Sequence, residues 1–115
     1  MAIKRARRGK EVERGYLSAL CTALKAWPDV AIQRKVHGAS FVVGRKFFAF
    51  TRPEGLAMKL PESRIRALVD AGEAQFLKMG KRTMREWALL RLEPTAPVRD
   101  EVIRLLREAM KFTSS

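Results

Sequence analysis

The sequence predicts one α+β domain, a two-layer fold in which helices cover one face of an antiparallel sheet. Apolar residues recur at helical spacing near both ends of the 115-residue chain and once between them. Short apolar segments separated by turn residues occupy the middle, where they predict strands joined by hairpins. Runs of strands with helices before, between and after them are typical of two-layer α+β domains. The predicted order is α-β-β-β-β-α-β-β-α.

The first predicted helix follows a basic N-terminal arm. Residues 1–10 lack apolar periodicity, so we expect a flexible basic arm there and a single α+β domain over residues 11–115. Helical spacing then relates the apolar residues Val12, Tyr16, Leu20, Ala23 and Trp27. Pro28 ends this helix, because proline cannot continue the helical hydrogen-bond ladder.

Four consecutive strands are predicted in the middle of the chain. They cover residues 30–36, 41–43, 46–50 and 56–60. Residues 37–40 are assigned to a turn that contains His37. Gly44-Arg45 suits a two-residue hairpin loop, and Arg52-Pro53-Glu54-Gly55 has the composition of a type I turn. Connections this short make consecutive strands antiparallel neighbours.

Two more helices and two more strands are predicted in the second half. Pro61 suits the first position of a short helix, and Gly72 suits the position just beyond its C-terminal end. Two strands over residues 75–79 and 85–92, a loop at residues 80–84 and a helix over residues 98–112 complete the chain. Asp100 and Glu101 are favourably placed in the first turns of that last helix.

Large apolar side chains are predicted on both faces of the sheet. Strict alternation puts Phe47 and Ala49 on one face, and Phe48 and Phe50 on the other. Either a helix reaches round to the second face, or that face pairs with another molecule. Exposed apolar patches usually mark contact sites, so a homodimer is one expectation.

The net charge of the chain indicates a polyanionic partner. Lys and Arg number 24 against 12 Asp and Glu, for a formal charge of +12. Residues 1–10 contribute five of these positive charges, which leaves an excess of seven for residues 11–115. A field of this sign attracts polyanions and steers their association.

The sequence offers no constellation for catalysis or metal binding. Cys21 and His37 are the only residues of their types, so neither a disulfide within the chain nor a Cys/His zinc site can be built. Ser40 lacks the G-x-S-x-G setting of a nucleophile, and no glycine loop suits a phosphate. We therefore expect a non-enzymatic protein with no cofactor and no metal. Its single cysteine and the lack of a long apolar stretch predict a cytoplasmic protein outside the membrane.

Four motifs follow one another along residues 38–112, namely GRKFFAF, GLAMKLPESR, KMGKRTMREWALL and DEVIRLLREAMKF. In this order and spacing the chain resembles the MmcQ/YjbR family of small bacterial proteins and the N-terminal domain of TfoX-type competence regulators. The resemblance implies an α+β fold related to the frataxin-like and secretion-chaperone-like architectures, and a DNA-binding role without catalytic residues. It places that role on the basic residues of the motifs, Arg45, Lys46, Lys59, Lys81, Arg82 and Arg85.

Local charge also favours a phosphate-binding surface around residues 74–92. This segment contains five basic residues and one acidic residue, Glu86. The candidate nucleic-acid contacts are Arg34, Lys35, Arg45, Lys46, Lys59, Lys78, Lys81, Arg82 and Arg85, with Lys4, Arg5, Arg7 and Arg8 of the arm. Phosphate contacts position nucleic acid without reading its sequence, so we expect weak, salt-sensitive binding, to DNA above all. Trp27 and Trp87 could stack on bases, but the apolar pattern around each favours core packing.

The alternative is a protein interaction module. In that case the second face of the sheet pairs with another copy or another protein, and the charge serves solubility or an acidic partner. The apolar residues of segment 47–50 distinguish the two hypotheses, because only the alternative requires them at a protein interface.

Overall fold

A computed structural model describes residues 17–36, 38–92 and 98–114, and these residues form three helices and six strands. The helices are α1, described over residues 17–25, α2 (Glu62–Asp70) and α3 (Asp100–Ser114). The strands are β1 (Val30–Lys35), β2 (Gly38–Val43), β3 (Lys46–Arg52), β4 (Gly55–Lys59), β5 (Gln75–Met79) and β6 (Arg82–Arg91). The predicted order of elements is confirmed. The basic arm, the first residues of the first predicted helix and His37 lie outside the described residues.

All six strands belong to one antiparallel sheet in the order β1-β2-β3-β4-β6-β5. Hairpins join β1 to β4 in succession. α2 then carries the chain to the edge strand β5, and β6 returns to pair between β5 and β4. α3 packs on β2, β3 and β4, while α2 packs on β5 and β6. The predicted two-layer α+β class is therefore confirmed.

The main core lies between the helices and one face of the sheet. Its buried members from α3 are Val102, Leu105, Leu106 and Ala109, which recur at the predicted helical spacing. Leu20 and Leu24 of α1 join them, as do the rings of Phe41 and Phe48, whose centroids are 6.4 Å apart. Burying each large apolar side chain contributes about 1.5–3 kcal/mol, so this layer supplies most of the stability.

Two predicted loops are shorter than the sequence indicated. The sequence predicts a turn at residues 38–40, but these residues begin β2. Gly38 pairs with Lys35, and the N–H of Ala39 donates a 2.9 Å hydrogen bond to Thr51 Oγ1. β6 begins at Arg82, because Gly80 and the residue after it complete the turn from β5. Residues 82–84 consequently lie on a strand, where each side chain has a defined side.

A β-bulge between β2 and β3 overturns the predicted distribution of the phenylalanines. The pairing shifts by one residue and leaves Phe48 as an extra residue on β3. Phe48 and Ala49 both lie fully buried in the main core, whereas Phe47 and Phe50 lie on the other face. Both halves of the prediction, Phe47 with Ala49 on one face and Phe48 with Phe50 on the other, are therefore wrong. Strict alternation does not continue through a bulge.

The close approach of β4 to β6 yields a stability prediction for Gly55→Ala. A methyl group at Gly55 would overlap the carbonyl oxygen of Leu90 and lie 2.9 Å from the Cα atom of Arg91. Backbone atoms cannot swing away as a flexible side chain can, so we expect the free energy of unfolding to fall by at least about 2 kcal/mol. Urea denaturation of the purified variant measures this change.

Gly44→Ala is the matched control for that substitution. Gly44 has a φ of +62°, but a methyl group there meets no described atom within 4 Å. Only the left-handed backbone is penalised, for an expected loss of about 1 kcal/mol. Equal losses at the two glycines would show that β4 and β6 can separate, contrary to the prediction.

Candidate functional site

The face of the sheet opposite the main core, which we call the open face, carries a smaller apolar cluster. Its members are Ala57, Leu77 and Leu89, which are buried, and Phe50, Met84 and Trp87, which are partly buried. The ring centroids of Phe50 and Trp87 are 5.1 Å apart, with the planes inclined by 52°. The sequence predicts that Trp87 packs in the core. Trp87 instead packs in this second cluster at the surface of the sheet, and not in the main core.

The small side chain of Ala57 explains why these two rings meet. Phe50 on β3 pairs with Ala57 on β4, and Ala57 pairs in turn with Leu89 on β6. β3 and β6 are two strand spacings apart, roughly 9–10 Å. Since Ala57 between them has only a methyl group, the rings of Phe50 and Trp87 lean towards each other across β4.

Trp87 lies at a break in the pairing of β6 with β5. The consecutive β5 residues Phe76 and Leu77 pair with Ala88 and Met84. Residues 85–87 therefore have no partner on β5. Such bulges bend a strand and redirect its side chains, and they are common next to functional sites.

The bent hairpin brings the end of β5 near the end of β3. Arg52 Nη1 lies 3.3 Å from Met79 Sδ, although the two residues are on strands separated by β4 and β6. Arg52 Nε also forms an ion pair with Glu54 Oε1 at 3.4 Å. A hydrogen bond from its own backbone N–H, and then the Arg52 side chain, lower the pKa of the Glu54 carboxyl, so Glu54 stays ionised to a lower pH than a free glutamate.

A groove of about 680 Å³ runs along the open face, and we call it the aromatic groove. It is lined by Lys35, Val36, Gly38, Ala39, Ser40, Phe47, Phe50, Thr51, Arg52, Pro53 and Trp87. Phe47 is 45% exposed and Val36 is 89% exposed, which is unusual for large apolar side chains. Lys35 and Arg52 are its charged lining residues, so the groove is an apolar surface with a positive margin.

A second groove of about 470 Å³ shares Trp87 with the first, and we call it the basic groove. It is lined by Lys59, Arg82, Thr83, Met84, Arg85, Glu86 and Trp87. Lys59 is the register partner of Trp87, and the N–H of Leu60 donates a 3.1 Å hydrogen bond to the carbonyl oxygen of Glu86. β4 therefore holds Lys59 beside the bulged part of β6, and Lys59, Arg82 and Arg85 line the same groove.

The positive charge of the basic groove is only partly balanced. Arg85 Nη1 lies 3.9 Å from Glu62 Oε1, but the Arg85 side chain is 77% exposed and Glu62 is also within 3.8 Å of Arg66. A long, exposed pair of this kind contributes about 0–1 kcal/mol and exchanges readily with a ligand. Lys59 and Arg82 form no ion pair with any residue that the structure describes.

Several other predicted nucleic-acid contacts lie outside the basic groove. Lys46 opens β3 and Lys59 closes β4, so their antiparallel pairing puts both at one end, with Arg45 in the adjoining turn. Lys78 and Lys81 are exposed near the turn of the β5–β6 hairpin. Lys35 is in the aromatic groove rather than the basic one.

The structure places two of the candidates, Arg34 and Lys46, on the helical side of the sheet. Arg34 pairs with Ala39, whose side chain belongs to the main core, and its Nη1 lies 3.4 Å from Cys21 Sγ of α1. Lys46 pairs with Val43, another member of that core, so both cations lie on the helical side of the sheet. Lys4, Arg5, Arg7 and Arg8 are outside the described residues.

The two tryptophans occupy different environments. Trp27 packs partly buried against the main core, and the Arg107 guanidinium carbon lies 4.9 Å from its ring centroid in a cation–π contact. Trp87 instead lines both the aromatic groove and the basic groove. The alternation of residues in β6 indicates the face on which Trp87 lies, because Trp87 and Leu89 alternate with Ala88, which faces the main core.

No protein-family model matches the chain, and neither a curated protein nor a solved structure matches it. The resemblance to the MmcQ/YjbR family therefore stays a prediction. Within the described ranges, no helix is long and apolar enough to cross a membrane. The same residues contain no group of three or more His, Cys, Asp or Glu side chains that could hold a metal ion.

Proposed function

We propose that the protein is a non-catalytic nucleic-acid-binding protein that holds phosphates in the basic groove. The convergence of Lys59, Arg82 and Arg85 from two strands on one groove is the observation that carries this proposal. Glu86 is the one acidic residue among the described lining of that groove. DNA is the expected form of the ligand, as the resemblance to the MmcQ/YjbR family also implies.

The chemistry of these side chains suits phosphate. The planar guanidinium groups of Arg82 and Arg85 can each direct two N–H donors at phosphate oxygens, while Lys59 adds a compact charge. Lys59 is half-buried, so its stem is held in place and little conformational entropy is lost when its ammonium group meets an anion. The exposed cations Arg45, Lys46, Lys78 and Lys81 extend the positive surface beyond the groove.

Little sequence preference is expected from this surface. Base readout in duplex DNA requires side chains that enter a groove, most often from a helix. α3 does not suit that role, because Glu108 lies among its arginines and forms two hydrogen bonds with Arg64, at 3.1 and 3.3 Å. Phosphate contacts alone give binding that is similar for all sequences.

We place this activity in the cytoplasm, where a lone thiol such as Cys21 stays reduced.

Replacing Lys59, Arg82 and Arg85 together by glutamine should weaken binding to duplex and single-stranded oligonucleotides of any sequence. The loss of three phosphate contacts should make the slope of log affinity against log salt shallower by about two to three units. Fluorescence anisotropy over a salt series, with the full chain and labelled oligonucleotides, measures both quantities.

Two control variants give this experiment its specificity. Replacing Lys25, Arg99 and Arg104 by glutamine removes the same charge from the helical side and should change the slope by less than about one unit. Replacing Lys4, Arg5, Arg7 and Arg8 by glutamine isolates the contribution of the arm. The proposal would be contradicted if the arm variant lost nucleic-acid binding while the Lys59/Arg82/Arg85 variant kept it.

A second candidate function is protein association through the aromatic groove. The observation in its favour is the 45% exposure of Phe47, since a soluble protein gains nothing in stability from a phenylalanine held in water. A second copy that covered Phe47 and Val36 would form a homodimer across the open face.

Phe47→Glu should dissociate such a dimer, because a carboxylate in an apolar interface loses its hydration without gaining a partner. Sedimentation velocity over a concentration series compares its oligomeric state with that of the parent chain. Ser18→Glu on the exposed side of α1 introduces the same charge and should leave the oligomeric state unchanged. A parent chain that is monomeric throughout the series would remove this candidate.

A further inference from the structure

We infer that the ligand of the open face is single-stranded nucleic acid, whose bases stack in the aromatic groove while its phosphates follow the basic groove. This inference rests on the proposed function and identifies the form of nucleic acid that the site selects. Trp87 belongs to both grooves, so a base on its ring and a phosphate beside Lys59 or Arg85 can come from the same nucleotide strand.

The rings of the aromatic groove are arranged to receive a base. The planes of Phe50 and Trp87 are inclined by 52°, so the two rings are not stacked face to face. Phe47 lines the same groove and is nearly half exposed. Stacking on aromatic side chains tolerates any base, because every base has a π face. Aromatic residues on the open face of an antiparallel sheet, with cations around them, are a known solution for binding single strands.

Charge distinguishes this ligand from a second copy of the chain. The described lining of the two grooves contains Lys35, Arg52, Lys59, Arg82 and Arg85 against Glu86. Even with Arg52 balanced by Glu54, the excess is positive. A symmetric dimer brings the same surface patch together twice, so like charges would face one another. A polyanion with apolar bases satisfies the charge and the rings at once.

The structure also favours single strands over a duplex. In a duplex the bases are stacked and paired, so a side chain reaches their faces only after a base has been unstacked. Phe47, Phe50 and Trp87 line the aromatic groove, and these rings can stack only on a base whose face is accessible. Bases of a single strand are already accessible. The basic groove alone would bind both forms, and the aromatic groove adds the difference between them.

Tryptophan fluorescence tests the stacking contact directly. Trp27→Phe leaves Trp87 as the sole tryptophan of the chain and keeps an aromatic ring beside Arg107. Oligothymidylate and oligouridylate should both quench the Trp87 emission at saturation, because stacked bases contact the indole. Inorganic polyphosphate, a polyanion without bases, should bind without comparable quenching. Equal quenching by polyphosphate, or none by either oligonucleotide, would overturn the inference.

Phe47→Ala supplies a second readout that does not involve Trp87. It should weaken oligothymidylate binding by at least about fivefold and change duplex binding less, because only the single strand uses the ring. Val36→Ala, which removes an apolar but non-aromatic group from the same groove, should change neither affinity by as much as twofold. Circular dichroism and urea denaturation confirm that both variants fold.

The outcomes separate this inference from the proposed function. If the Lys59/Arg82/Arg85 variant loses binding while Phe47→Ala behaves like Val36→Ala, the phosphate groove stands and base stacking is wrong. If neither variant changes an affinity, both proposals fall. An effect of Phe47→Ala on the oligomeric state alone would assign the aromatic groove to a second copy of the chain and overturn the inference.

Discussion

The break in the ladder between β5 and β6 is the constraint on which both grooves depend. Residues 85–87 have no partner on β5, and the hydrogen bond from Leu60 to Glu86 ties this stretch to β4 instead. If β6 continued in regular register, its side chains would alternate evenly and the hairpin would lie flat beyond the edge of β4. The break bends the hairpin towards the open face and sets Trp87 beside Lys59. One local irregularity thereby creates the apolar surface and the cationic surface together.

The bulge on β3 has a complementary effect on the other side of β4. It lets Phe48 and Ala49 both face the helices, which fills the main core, and it leaves Phe47 on the open face. Burial of Phe48 stabilises the fold, whereas the exposure of Phe47 does not. Selection for stability alone would favour a polar residue at position 47. The exposed ring is accordingly the feature of the fold that supports a ligand at this face, and the neighbouring rings of Phe50 and Trp87 favour the proposed ligand with flat apolar groups.

The sequence predicts this fold well and this site poorly, for reasons that particular residues make plain. Helical spacing in α3 and turn residues such as Gly44 are local signals, and they lead to the correct order of elements. The face of Phe47 depends on a register shift between β2 and β3, which leaves no mark in either strand alone. The excess of positive charge along residues 74–92 is evident from the sequence. The placement of Lys59 and Arg82 in one groove is not, because it depends on the pairing of β4 with β6, which are separated in the chain by α2 and β5.

Salt acts in opposite directions on the two functions that the open face can serve. The Debye length falls from about 10 Å at 0.1 M to about 3 Å at 1 M ionic strength, so added salt removes both the attraction of the basic groove for a polyanion and the repulsion between two such surfaces. Apolar contacts, by contrast, persist or strengthen in kosmotropic salts such as sulfate. Nucleic-acid binding should therefore weaken as salt rises, while association of two open faces through Phe47 and Val36 should strengthen. At low salt the cations around Trp87 therefore favour the proposed polyanion and oppose a second copy of the same surface.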